Sequence, residues 1–115
     1  MNNSIELKKM REGYSDALIE LAERDDKIVY VTSDSGGHER KWFLENAKER
    51  LIETGIAEAN SAVIAAALSS DGFKPFILNF AYLHARMYNQ ISQSIAEDSY
   101  PVSMAGYYAG VWGTG

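Results

Sequence analysis

Hydrophobic positions along the chain change their period several times, and each change marks a new element. From Met10 to Arg24, "MREGYSDALIELAER", the residues Met10, Tyr14, Ala17, Leu18, Leu21 and Ala22 fall on one helical face, which predicts an amphipathic helix. Ile28, Val29, Tyr30 and Val31 inside "KIVYVTSD" form an unbroken apolar run, the pattern of a parallel strand buried on both faces. "SDSGGHE" interrupts it with Gly36 and Gly37, and "RKWFLENAKER" resumes helical spacing through Trp42, Phe43 and Ala47. A short strand, "RLIETG", follows.

"AEANSAVIAAALSSDG" is alanine-rich and apolar all round, so it predicts a buried helix ending at Gly72. "KPFILNFA" is a third strand, with Pro75 tolerable near its start. "YLHARMYNQISQSIAED" sets Leu83, Met87, Ile91 and Ile95 in helical register, and "PVSMAGYY" is the fourth strand. Helices alternating with strands through short connections predict an α/β domain. Its expected form is three αβα layers around a mostly parallel sheet with right-handed crossovers. After the last strand comes only "AGVWGTG". The expectation is an incomplete domain, cut short or completed by a partner, with the fourth strand's edge and the helix around Ala62 to Leu68 uncovered and prone to association.

A chain of 115 residues suits one such unit. Its 11 basic and 16 acidic residues give a net charge of -5, which offers no cationic stripe for a phosphate backbone and argues against nucleic acid as a partner. Without cysteine it can form neither a disulfide nor a cysteine-ligated metal site. The start, "MNNSIELKKMREGY", lacks the apolar core of a signal peptide, and no apolar run reaches the ~20 residues needed to span a bilayer. The expected setting is the cytoplasm, with no membrane partner.

Ligands of open α/β sheets bind beyond the carboxyl ends of the strands, so "SDSGGHE", "TGIAEAN", "NFAYLHAR" and "GYYAGVWGTG" should share one edge. Glu58 opens a helix there. A carboxylate in that place is favoured by the unpaired amides and the helix dipole, so its role is open between a helix-start charge and proton chemistry. The loop with Asp34, Gly36, Gly37 and His38 has neither the spaced glycines of a dinucleotide fingerprint nor a phosphate loop's Gly-Lys-Ser/Thr ending. His38 and His84 lack carboxylates at zinc-ligand spacing, and no serine sits in a Gly-x-Ser-x-Gly elbow. The aromatic group Phe80, Tyr82, Tyr88, Tyr107, Tyr108 and Trp112 reads first as core or interface packing.

Three stretches taken in order, "MREGYSDALIELAERDDKIVYVTSDSGG", "ERLIETGIAEANSAVIAAALSSDGFKPF" and "ARMYNQISQSIA", resemble the pyrimidine-binding domain of the transketolase family. The combination is a Gly-Ile-Ala-Glu-x-Asn element before an alanine-rich helix, a Gly-x-Lys-Pro turn and an Arg-x-Tyr-x-Gln helix. The resemblance covers nearly all of residues 1–115, as a single, partial domain of thiamine-diphosphate-binding type. It implies that Glu58 hydrogen-bonds the aminopyrimidine ring of thiamine diphosphate and shares a proton with it, the step that readies the thiazolium carbon for attack.

By the same resemblance Asp34 lies in the loop facing the thiazolium, Phe80 and Leu83 flank the aminopyrimidine, and Arg11 reaches a sugar phosphate. His38 and Tyr108 fall at substrate-binding positions but depart from the family, which commonly has a small polar residue and a histidine there. Leu83 stands where an aromatic is common. Magnesium and the diphosphate are expected only through a partner domain or subunit, in a homo- or hetero-oligomer. The implied activity is transfer of a two-carbon ketol unit between sugar phosphates. A deoxyxylulose phosphate synthase or a 2-oxoacid dehydrogenase beta-type subunit is the enzymatic alternative. A non-catalytic fragment or interaction module is the alternative of another class.

Overall fold

A computed structural model describes residues 7–110; Trp112 of the aromatic group lies outside them. The elements are α1 (Met10–Arg24), β1 (Ile28–Thr32), α2 (His38–Asn46), β2 (Leu51–Glu53), α3 (Glu58–Ser70), β3 (Lys74–Phe80), α4 (Ala81–Arg86), α5 (Tyr88–Gln90) and β4 (Ser103–Tyr107). A π-helical segment, Ile91–Ala96, continues α5.

The strands form one sheet in the order β2-β1-β3-β4, every pair parallel. Tyr30 stands opposite Leu51 on one side and Phe76 on the other, and Leu78 opposite Ala105. All five residues of β1 are buried, as its unbroken apolar run predicts. Alternation along the strands divides them between two cores. Ile28, Tyr30 and Leu78 pack with Leu18 and Ala22 of α1 and with Phe43 and Ala47 on the α2 side. Val31 and Ile77 point the other way, onto Ala65 of α3. Ala62 and Ala66 then meet Met87 and Ile95 of the last helical stretch. The result is three layers, αβα.

Four details differ from the expected pattern. In α1, Met10 and Leu21 are exposed while Ser15 is buried beside Leu18 and Ala22, because a carboxylate from α2 reaches Ser15. Helix α3 is not buried all round: Asn60, Val63, Ala67 and Ser70 make an exposed stripe. Its centre is not bare either, since Met87 and Ile95 cover Ala62 and Ala66. The final helix is interrupted at Met87 and widens to π geometry over Ile91–Ala96, keeping the predicted Met87, Ile91 and Ile95 register against α3.

Arg50, after α2, closes the carboxyl end of α1. Its Nη1 donates to the carbonyls of Ala22 and Asp25 at 3.0 and 3.1 Å, a cation supplied where the helix dipole is negative. Gly72 ends α3 at φ 91°, the left-handed conformation expected there. Strand β4 pairs with β3, and among the described residues no strand pairs with its other edge. No helix of the described residues is long and apolar enough to cross a membrane.

Candidate functional site

The chain leaves β1 toward β2 on one side and returns to β3 on the other, so the switch point of the sheet lies between β1 and β3. Loops diverge there and leave a crevice at the carboxyl ends of the strands. Because every strand is parallel, the loops after β1, β2 and β3 share that edge with residues 108–110 after β4, while residues 111–115 of the fourth loop lie outside the described residues. Thr54 ties two of them, its N–H donating to the Thr32 carbonyl at 2.9 Å.

At this end, on the α1 face, lies a cavity of about 770 Å³. Arg11, Tyr14 and Ser15 wall it from α1, Gly37 and His38 from the start of α2, and Tyr107 and Tyr108 from the end of β4. The structure therefore brings Arg11, His38 and Tyr108 together. The Arg11 guanidinium lies 4.7 Å from the centre of the Tyr107 ring, within cation–π range. Its buried Nε has no hydrogen-bond partner among the described residues. A second cavity, about 430 Å³ and lined by Asp26, Arg50 and Phe73, opens near the amino ends of the strands, away from these loops.

Phe80 joins the aromatic wall. It stacks on Tyr82 and Tyr108, with ring centres 5.4 and 5.5 Å apart, and tilts against Tyr107 at 4.5 Å. Tyr108 and Asp34 both have left-handed backbone, at φ 56° and 55°. Asp tolerates that conformation through local hydrogen bonding, whereas a tyrosine there is strained. Two non-glycine residues in this region belong to candidate-site loops, a common place for such strain.

Beneath the cavity is a charge that the sequence reading missed. Glu39 is fully buried and accepts hydrogen bonds from Ser15 Oγ at 2.5 Å, Gly37 N–H at 2.7 Å and Tyr30 Oη at 3.2 Å. Burial alone pushes its carboxyl up, but the donors of Ser15, Gly37 and Tyr30 outweigh this and hold it below the ordinary glutamate range. Its charge acts on its neighbours. Burial, and then Glu39, pushes the Tyr14 phenol up to about 12 and raises that of Tyr30 further. Tyr107 is also raised by burial, with Arg11 opposing.

Glu58 stands apart from this cavity, at the same end of the sheet but on the α3 face. It is the first residue of α3 and is 7% exposed. Its carbonyl accepts from Ser61 Oγ at 2.6 Å, yet among the described residues no hydrogen bond reaches its carboxylate. Leu83 is half-buried on α4. His84 bonds the Ala105 carbonyl through Nε2 at 2.9 Å and pins α4 to β4. Among the described residues no cluster of three histidine, aspartate or glutamate side chains is placed to hold a metal ion.

The family described as "Transketolase, pyrimidine binding domain" matches residues 7–114. The chain belongs to that family. It is 31% identical over 101 residues to a 1-deoxy-D-xylulose-5-phosphate synthase of Clostridium perfringens (strain SM101 / Type A), covering 87% of this chain and 16% of that protein. To the 6-deoxy-6-sulfo-D-fructose transketolase subunit SqwH of Clostridium sp. (strain MSTE9) it is 34% identical over 117 residues, covering 96% of this chain and 36% of the relative. Among solved structures, a split gene transketolase described as an inactive beta4 tetramer superposes with a TM-score of 0.75 at 37% identity. That likeness covers 84% of this chain and 33% of the other. The chain thus spans about a sixth to about a third of the length of these proteins.

Proposed function

We propose that this chain supplies the aminopyrimidine-binding half of a thiamine-diphosphate-dependent, transketolase-like site that transfers a two-carbon ketol unit between sugar phosphates. The observation that carries the reading is Glu58: the first residue of α3, 7% exposed, whose carboxylate receives no hydrogen bond from any described residue and is left open to a ligand. The aminopyrimidine ring nitrogen, itself an acceptor, matches this carboxyl by sharing a single proton carried on one or the other. The residues present fit the group in this respect, with apolar surface at Phe80 and Leu83 to pack on the ring faces.

When bound, thiamine diphosphate supplies an electron sink for the two-carbon unit as it leaves one sugar and joins another. Glu58 holds the proton at the ring nitrogen, a general acid/base role in which the side chain must both give and take. Asp34 shapes the loop over the reacting end, and Arg11, His38 and Tyr108 receive the substrate in the 770 Å³ cavity. The diphosphate and its magnesium are assigned to a partner domain or subunit, in an oligomeric assembly.

The test is reconstitution. Purified together with a diphosphate-binding partner subunit, this chain is expected to give ketol transfer from a ketose phosphate that requires added thiamine diphosphate. An assembled complex that binds the cofactor yet transfers nothing from any sugar phosphate would overturn the reaction assigned here.

A further inference from the structure

The cavity on the α1 face has two cationic sides of different kinds. Arg11 is a fixed charge, its guanidinium set over Tyr107. His38 is a conditional one, since an imidazole gains or loses its proton between about pH 5 and 8. A carboxylate from another helix holds it: His38 Nε2 lies 2.8 Å from Asp16 Oδ1, and the second Asp16 oxygen accepts from Lys8 Nζ at 3.2 Å. Asp16 sits outside the cavity lining while His38 is part of it, so the carboxylate grips the ring from behind.

We propose that Asp16 is a positioning residue that makes His38 the proton-dependent cation of this cavity, so that with Arg11 it selects substrates ending in a tetrahedral oxyanion and favours a dianionic end over a monoanionic one. This rests on the cavity being the substrate end of the site. The chemistry of the surroundings agrees. From α1 and the residue before it, Lys9, Arg11 and Glu12 face the same space, and from β4 come Tyr107 and Tyr108. Glu39 lies below, its carboxylate occupied by Ser15, Tyr30 and Gly37.

With the tyrosines neutral, Lys9 and Arg11 are balanced by Glu12 in the lining and Glu39 beneath it, and a protonated His38 gives an excess of one positive charge. A phosphate monoester carries about -1.5 to -2 near neutral pH, with its second ionisation near pH 6. A sulfonate carries one negative charge throughout. The two ends differ by the charge that His38 can add, which gives the pair a means to discriminate between them. The Asp16 carboxyl is held below the ordinary aspartate range, first by His38 and then by Lys8, so it stays charged while the imidazole titrates.

Methyl phosphate and methanesulfonate are matched probes for the full chain, titrated by calorimetry from pH 5.5 to 8.5 without thiamine diphosphate. The imidazole protons of His38 can be followed by NMR in the same samples, His84 being the other histidine of the chain. Methanesulfonate does not change charge over this range, so its pH dependence belongs to the protein. Its affinity should fall by about tenfold as the imidazole is deprotonated, the scale of one charge-assisted contact.

His38→Gln should flatten that profile and narrow the preference for methyl phosphate over methanesulfonate. Asp16→Asn should weaken methanesulfonate binding in the wild-type background and not in the His38→Gln background, because its effect passes through the ring it holds. Both positions are half exposed, and unchanged thermal melts would show the variants folded. Identical profiles for wild type and His38→Gln would overturn the proposal, as would an Asp16→Asn loss of equal size in both backgrounds or no binding of either probe by the wild type. Neither probe reports turnover. Loss of ketol transfer with anion binding retained would therefore count against the proposed reaction alone.

Discussion

Ser15 Oγ donates to Glu39 Oε2 across 2.5 Å in the interior, joining α1 to α2 under the candidate substrate cavity. The same carboxylate holds Gly37 N–H and the Tyr30 hydroxyl. One side chain therefore fixes a helix, a strand and the loop between β1 and α2.

Glu39→Ala should cost about 2 to 4 kcal/mol of stability, because two buried hydroxyls and the part-buried Gly37 N–H lose one charged acceptor. The pH dependence has a definite sign. Glu39 has its carboxyl lowered in the folded state, so its contribution is complete above the unfolded glutamate value, about 4.3. It is lost as pH falls through the lower folded value. Urea titrations between pH 7 and pH 3 should show wild type losing this increment on acidification and Glu39→Gln losing less. Equal acid sensitivity would remove the charge from this account.

Glu58→Gln should leave the fold close to native while reducing turnover of the assembled enzyme by about 100- to 10,000-fold, the range for a positioned acid/base group. Glutamine keeps the shape and can still accept through its oxygen, but it cannot exchange the proton. Steady-state assays at saturating cofactor check this. A rate within a factor of two or so of wild type would return Glu58 to the role of a helix-start charge.

Arg11→Ala should raise KM for phosphorylated sugars by about tenfold or more and affect unphosphorylated sugars much less, since only the former offer the guanidinium a charge-assisted contact. Arg11→Lys should rescue poorly. An ammonium lacks the planar face that lies over Tyr107. Equal losses for both kinds of sugar would make Arg11 a packing residue.

These predictions draw on residues that differ in how plainly the sequence shows them. The unbroken run in β1 forces burial on both faces, so the central strand and the layered fold follow from pattern alone. Glu58 is visible through its place before an alanine-rich helix. Glu39 is not: within "GGHERKW" it looks like one more solvated charge, and the signal was on another helix, in the polar Ser15 one turn before Leu18. The Asp16 and His38 pairing is likewise a contact between helices 22 residues apart in sequence. The break at Met87 had no glycine or proline to announce it. What sequence could not supply was pairing across elements, because periodicity reports which face is apolar and not which polar groups meet there.

Gly106 illustrates the same limit. Nothing in the pattern of β4 marks it, yet a Cβ there would lie 3.0 Å from the Ala81 backbone and 3.4 Å from the His84 ring. Gly106→Ala should destabilise the protein by about 1 to 3 kcal/mol through overpacking. It should also loosen the bond from His84 to the Ala105 carbonyl. Thermal melting tests the first effect, and NMR of the His84 ring the second. A variant as stable as wild type would show that α4 can retreat from β4 without cost.

Tyr108 carries two opposed contributions that substitution can separate. Its backbone is left-handed at φ 56°, a conformation in which any residue with a Cβ is disfavoured by about 1 to 2 kcal/mol and glycine is not. Its ring stacks on Phe80 at 5.5 Å and meets Tyr107 edge-on at 5.3 Å, and aromatic pairs return about 0.5 to 1.5 kcal/mol each. Tyr108→Ala removes the rings' contacts and keeps the strain, whereas Tyr108→Gly removes both. Glycine should therefore be the more stable of the two variants by about 1 kcal/mol, the reverse of their order inside a helix. Tyr108→Phe should match wild type in stability, since it keeps ring and strain alike. Chemical denaturation of the three proteins decides it. If alanine equals or exceeds glycine, the strain at Tyr108 is not a property of the folded protein in solution, and the aromatic stack alone sets the path of the chain beyond β4.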